Sequence, residues 1–320
     1  MSESIYRYRK IDKYNMLNLI NDEIYASSPV VFNDPYDALC AYSLKDIWEN
    51  LSEDKDSIQA IADDIRIIYP ELKLDLGDAK EILYENRAIF VNKCALDALD
   101  RIRRGFVVAS FSKFVQTEIM WSHYANSGTG FALEYERDKI ENLAKEYIKN
   151  YQSNSKKHTV WEDCSVFGFK EVLYNSTRFD GSKIVCNQIK TTLASNSEFK
   201  KGKLIPDKYS LDANAFNELV YKKHESWKYE NELRLVVPSY DSRQTGCKIG
   251  KIRPKAIYLG EFMSFNDTYN ICSIAMNKKL PVYKMVSKLG GAQFGLTKRA
   301  VSDKELEAIV KDFKEVNFYD

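Results

Sequence analysis

The segment Trp227-Lys228-Tyr229-Glu230-Asn231-Glu232-Leu233-Arg234-Leu235-Val236-Val237 sets two carboxylates two residues apart, and its second half has clear strand character. On a strand, side chains repeat every second residue, so Glu230, Glu232 and Arg234 are expected on one face, with alternate Cα atoms roughly 7 Å apart. Two carboxylates facing one cleft can steady an oxocarbenium-like centre and assist an incoming nucleophile. That is the chemistry of breaking a glycosidic link, the one between nicotinamide and ribose included. The same spacing also suits a solvated strand face on which Arg234 neutralises one Glu.

Other residue types suit the same chemistry. In Tyr6-Arg7-Tyr8-Arg9, alternation puts the two tyrosines on one face and the two arginines on the other, and a strand-borne Arg can grip a diphosphate through its planar fork. Equally, the tyrosines could be core contacts backed by exposed arginines. Ser110 and Ser112 flank Phe111 at the end of an apolar strand, where their hydroxyls could bond a ribose or cap the strand end. Met120-Trp121-Ser122-His123-Tyr124-Ala125 packs three ring-bearing residues into about one helical turn before Asn126-Ser127-Gly128-Thr129-Gly130. Tyr124 at a cleft could stack on a planar nicotinamide, or pack with Trp121 in the core. His123 could be an acid or base or a structural imidazole. Asn33-Asp34-Pro35 reads as an Asx-type turn, with Asp34 a further residue that could line a site.

These residues need elements to hold them. Ile5 to Lys10 reads as a strand; Asp12 then caps an amphipathic helix through Met16, Leu17, Ile20 and Ile24, and Ile24 to Ser27 is a second extended piece. Residues 43–104 read as almost purely helical, a helical insertion ending in Arg101-Ile102-Arg103-Arg104 with Gly105 as C-cap. Strands are expected at Phe106 to Phe111, Gly130 to Tyr135, Val166 to Tyr174, Glu230 to Val237, Ala256 to Gly260 and Pro281 to Val286. Helices are expected at 116–125, 183–199, 208–226, 265–277 and 303–313. Regular βαβ repeats are missing, so an α+β fold with a central mixed sheet is expected, as one domain over 1–320 with the insertion at 43–104 inside it.

Composition narrows the function class. Lys and Arg number 47 against 46 for Asp and Glu, a formal charge of +1, which argues against a surface that is a polyanion footprint throughout. A 44% hydrophobic share describes a globular chain. No stretch approaches the ~18 apolar residues of a membrane span, and Met1-Ser2-Glu3-Ser4 lacks the features of a signal peptide, so a cytoplasmic location is expected. The 6 cysteines form no Cys-x-x-Cys pair, and the 3 histidines show no short paired spacing, so neither a disulfide framework nor a metal site is expected. Glycine-rich dinucleotide, P-loop and nucleophile-elbow motifs are missing as well.

Over residues 6–260 the chain resembles the bacterial domain-of-unknown-function family 2971. The matching blocks are Tyr6-Arg7-Tyr8-Arg9, Ser27-Ser28-Pro29, Phe32-Asn33-Asp34-Pro35-Tyr36-Asp37, Ser110-Phe111-Ser112, Met120 to Ala125, Trp227 to Arg234 and Ile257-Tyr258-Leu259-Gly260. The opening block also looks like the first core strand of ADP-ribosyltransferases. In that superfamily an Arg or His on the first strand, a Ser or Tyr on a later one and a Glu on a third form the NAD site, with Glu-x-Glu in one branch; Arg7, Ser110 or Ser112, and Glu232 preceded by Glu230 fall in that order. Two features depart from the pattern: Ala109-Ser110-Phe111-Ser112 stands where Ser-Thr-Ser is usual, and the interval to Glu232 is long.

The resemblance implies an ADP-ribosyltransferase-like sheet that takes NAD as substrate and passes ADP-ribose to a macromolecule, protein or nucleic acid, or to water, as a toxin or phage-defence effector would. It implies Glu232 on the ribose hydroxyl and the oxocarbenium, Glu230 orienting the acceptor, and Arg7 at the diphosphate. Ser110, Ser112, Tyr124 and His123 would shape the NAD pocket. Two alternatives stand beside it: a metal-dependent nuclease using acids such as Asp163 and Glu171, and a non-catalytic nucleotide-binding or sensor module.

Overall fold

The computed structural model describes residues 3–154, 160–161, 164–200, 208–209, 213–290 and 294–316. The chain opens with β1 (Ser4–Arg9), α1 (Lys13–Asn21) and β2 (Glu23–Ser27). The Asp12 carboxylate accepts the Asn15 N–H and starts α1, and Asp22 ends it in the left-handed region at φ 59°. The helix therefore stops before Ile24, which is buried on β2 and is not the last apolar position of α1. Then come α2 (Leu44–Ser52), α3 (Lys55–Ile68), α4 (Leu76–Glu85) and α5 (Arg87–Arg104). The side chains of Ser43, Asp54 and Asp75 cap the first three, and Gly105 donates its N–H to the Arg101 and Ile102 carbonyls at the end of the fourth.

The middle of the chain holds β3 (Phe106–Ser112), α6 (Glu118–Tyr124), β4 (Phe131–Glu136), α7 (Arg137–Asn154), β5 (Val160–Trp161), β6 (Gly168–Glu171), β7 (Leu173–Asn175) and α8 (Ser182–Lys200). It continues with β8 (Lys208–Tyr209), α9 (Ala213–Val220), β9 (Lys222–His224), β10 (Glu232–Pro238) and β11 (Gly246–Lys251). The last elements are β12 (Ala256–Leu259), α10 (Phe265–Lys278), β13 (Val282–Ser287), β14 (Leu296–Val301) and α11 (Asp303–Val316).

Three expectations need correction. The strand expected from Val166 to Tyr174 is two strands, broken where the Val172 N–H donates to the Glu232 carbonyl at 2.9 Å. Of the long helix expected at 208–226, only α9 is α-helical among the described residues: Lys208–Tyr209 is the strand β8, and after α9 the chain extends again as β9 because Lys222 to His224 pair in parallel with β7. Glu230 does not lie on a strand: it ends a 3-10 helix, Glu225–Glu230, and Asn231 at φ 43° turns the chain into β10. Asn accepts that left-handed backbone more readily than most residues.

The central sheet is mixed, as expected for α+β. Its strands run β11-β2-β3-β1-β4-β12-β13-β14, with β10 on β3 and β6 on β10. Within it β12 and β13 are parallel and the other pairs antiparallel. Strand β10 pairs along the whole of β3, while the other edge of β3 is shared: β2 meets it at Ser27↔Val108 and β1 at Tyr6↔Ser112. One face of the sheet carries Phe106, Val108 and Val236 into a core built with α2, α3, α4, α5, α8 and α9. The opposite face carries Val107, Ala109, Phe111, Leu233, Leu235 and Val237 into a second core with α7 and α10. No helix among the described residues is long and apolar enough to cross a membrane.

Candidate functional site

Between β1 and β2, where β3 is shared, lies a cavity of about 780 Å³, within the usual ~300–1,000 Å³ of small-molecule sites. Arg7, Ser110, Ser112, Tyr124, Glu230 and Glu232 all line it. Tyr6 is registered with Ser112 and Ser112 with Glu232, so these three share a face, and alternation puts Arg7 on the other. Arg7 reaches the same cavity because the two strands separate along β3. Its guanidinium crosses to bond the Tyr25 carbonyl on β2 and lies 5.4 Å from the Phe111 ring. Its Nε is buried with no hydrogen-bond partner among the described residues. Arg9 also lines the cavity, and burial lowers its pKa to about 10.

On the Glu232 side the cavity meets a buried charge cluster. Because β10 is covered on both faces, Glu232 is only 5% exposed and Arg234 0%. The solvated strand face is therefore excluded, although the Glu232–Arg234 pairing it invoked is present. Arg234 donates Nε–H and an Nη2–H to the two Glu232 oxygens at 2.9 and 3.0 Å. It donates from both Nη atoms to Asp37 at 2.8 and 2.6 Å, and to the Val220 carbonyl at 2.6 Å. All five guanidinium N–H donors are thus used. Lys223 donates to Glu230 Oε2 at 2.7 Å and stands 3.6 Å from both Asp37 and Glu232. The Tyr124 hydroxyl donates to Glu230 Oε1, and Asn33 donates to Tyr124 at 3.5 Å.

The two glutamates are held in different charge states. For Glu232, burial acts upward, but Arg234 and Lys223 outweigh it and bring the pKa down to about 2. For Glu230, burial and then the Glu232 charge raise the pKa to about 7 against the pull of Lys223. Glu232 is a permanent anion near neutrality, whereas Glu230 is poised to exchange a proton there. Burial followed by the Glu230 carboxylate pushes the Tyr124 phenol up, which keeps it a donor.

This divergence sets a pH dependence. Glu230, with its folded pKa raised to about 7, adds stability that is complete below the unfolded carboxylate range and is lost as pH rises through about 7. Glu232 has the opposite sign: its contribution is present above that range and lost as pH falls toward about 2. Urea unfolding is expected to show wild-type stability falling between pH about 5 and about 8 more steeply than that of Glu230→Gln. Parallel profiles for the two proteins would contradict the raised pKa.

The remaining expected residues fall in different places. Ser112 Oγ is committed to structure, donating to the Glu230 carbonyl at 2.7 Å and bracing the 3-10 turn against β3. Ser110 is half-buried in the cavity wall and helps to hold the Glu232 pKa down. His123 is not among the lining residues; it is exposed, with Nδ1 2.9 Å from the Tyr229 hydroxyl. Asp34 forms the Asx turn, accepting the Tyr36 N–H at 2.9 Å, and it is Asp37, three residues on, that enters the cluster. Asp37, Lys223 and Asn33 are the participants that sequence reasoning missed. Asp37 lies at the end of the block Phe32 to Asp37, but nothing in its spacing marks it, and Lys223 falls inside the span 208–226 that is expected to be helical. Of the acids considered for metal chemistry, Glu171 pairs with Lys113 at 2.7 Å and Arg137 at 3.6 Å, and Asp163 lies outside the described residues.

Residues 120–235 match the family described as protein of unknown function (DUF2971). No curated protein and no solved structure matches the chain.

Proposed function

We propose that the cleft binds NAD, breaks the bond between nicotinamide and ribose, and passes ADP-ribose to a macromolecular acceptor or to water, on a sheet of ADP-ribosyltransferase-like type. The observation that carries this reading is the convergence of Arg7, Ser110, Tyr124, Glu230 and Glu232 on one cavity. Arg7, with a buried Nε–H that has no partner among the described residues, meets the diphosphate. Glu232, fixed by Arg234, presents a constant negative charge to the oxocarbenium that forms as nicotinamide leaves. Glu230 takes the proton of the attacking hydroxyl or water, with Lys223 and Tyr124 holding its two oxygens. Electrons balance without a redox partner: the C–N pair departs with nicotinamide and the acceptor's lone pair forms the new bond.

The reading is tested by incubating the protein with NAD and measuring free nicotinamide; no release, with or without candidate acceptors, would overturn it. Arg7→Ala is expected to weaken NAD binding more than Arg9→Ala, because of the two it is Arg7 that carries a buried donor with no partner among the described residues. The expected loss is about 1.5–3 kcal/mol, the range for a hydrogen bond to a charged group. Equal affinities for the two variants in a calorimetric titration would remove Arg7 from the ligand site.

A further inference from the structure

The sheet face that carries Tyr6, Ser112 and Glu232 is bordered by rings. Tyr6, Tyr124, Tyr229 and Tyr283 are all half-buried and pack around one small apolar cluster that includes Tyr8, Met120, Trp121, Tyr258 and Met285. Beyond Tyr229 the fringe continues through exposed His123, 5.7 Å away, and half-buried Trp227, 6.1 Å away. At the other end Tyr283 stacks on buried Tyr258 at 5.0 Å, and Tyr6 meets Tyr258 edge-on at 5.6 Å.

Cations accompany these rings. Lys298 Nζ lies 4.8 Å from the Tyr283 ring and 5.5 Å from that of Tyr258, with the Tyr258 hydroxyl at 3.3 Å. It pairs with no carboxylate among the described residues, and nor does exposed Lys228, which follows Trp227. Half-buried rings beside ammonium groups that pair with no carboxylate among the described residues, one of them Lys298 bonded only to the Tyr258 hydroxyl and lying over two rings, have the chemistry of a single-stranded nucleic-acid platform: bases stack, phosphates meet lysines. An arginine-bearing peptide would meet like charge at both lysines. Tyr124 belongs both to this fringe and to the cavity, where it donates to Glu230.

We infer that the fringe of Tyr6, Tyr283, Tyr229, His123 and Lys298 seats single-stranded nucleic acid, and that a nucleotide held there is the acceptor presented to Glu230. The second clause rests on the NAD reading; the first does not. With a formal charge of only +1, binding is confined to this patch and spans few phosphates, so its salt dependence is shallow.

The test is fluorescence anisotropy of labelled single-stranded DNA and RNA of about twelve nucleotides, with an arginine-rich peptide as a third probe, against wild type, Lys298→Glu and Tyr283→Leu. The wild type is expected to bind one or both oligonucleotides. Lys298→Glu should weaken binding about tenfold and Tyr283→Leu at least about fivefold, while nicotinamide release into water stays unchanged, since neither residue lines the cavity. Lys298 is exposed, so its variant keeps the test open if Tyr283→Leu fails to fold. Absent oligonucleotide binding, binding indifferent to Lys298→Glu, or tighter binding of the peptide would each overturn the inference. Nicotinamide release from the same samples reports separately on the NAD reading: oligonucleotide binding weakened by the variants supports the platform whether or not release occurs.

Discussion

Glu232→Gln is expected to slow nicotinamide release by a factor on the order of 10² or more while leaving NAD affinity nearly unchanged. The substitution keeps the shape of the side chain and deletes its charge. Positive charge develops on the ribose only as nicotinamide departs, so the lost attraction is felt in the transition state and hardly at all in the bound ground state. Glu232 is buried against Arg234 and Lys223, so the variant also loses stability, and melting temperature alone cannot separate the two roles. The decisive pair of measurements is NAD affinity by calorimetry, which certifies an intact cleft, and turnover per folded molecule. Full turnover with unchanged affinity would make Glu232 a structural partner of Arg234 and nothing more.

Arg234→Met is expected to be among the most destabilising single substitutions, at about 3–5 kcal/mol, the cost of leaving buried charges without their partner. Methionine fills much of the volume, but the two Asp37 oxygens and the two Glu232 oxygens lose the guanidinium that satisfies them. Lys223, 3.6 Å from each carboxylate and already bonded to Glu230, cannot replace it. Urea unfolding measures the loss. A loss below about 1 kcal/mol, the worth of a surface ion pair, would mean that the cluster is far wetter than its burial indicates.

Much of the scaffold was legible along the chain. The alternation of Tyr6-Arg7-Tyr8-Arg9 placed the arginines opposite the tyrosines, and the apolar runs of β3 and β12 marked buried strands. Capping side chains marked helix starts, as at Asp12. Where a local pattern misled, a tertiary contact prevailed: α9 gives way to β9 because β7 lies beside it, and Glu230 leaves the strand because Asn231 turns the chain beneath Ser112.

Side-chain chemistry, a local property, marked an arginine, two serines and a pair of glutamates one by one, and the resemblance to ADP-ribosyltransferases implied that they share one site. Residue order could not say that Asp37 would close on Arg234 across a separation of 197 residues, or that Lys223 would stand among three carboxyl groups. Nor could it foresee that Glu230 and Glu232, so alike in sequence, would be driven to pKa values of about 7 and about 2. Those outcomes depend on which charges the sheet brings together and how completely it removes them from water. Coulomb interactions and desolvation act through space in a low-dielectric interior, so only the folded arrangement settles which carboxylate holds its charge and which gives up its proton.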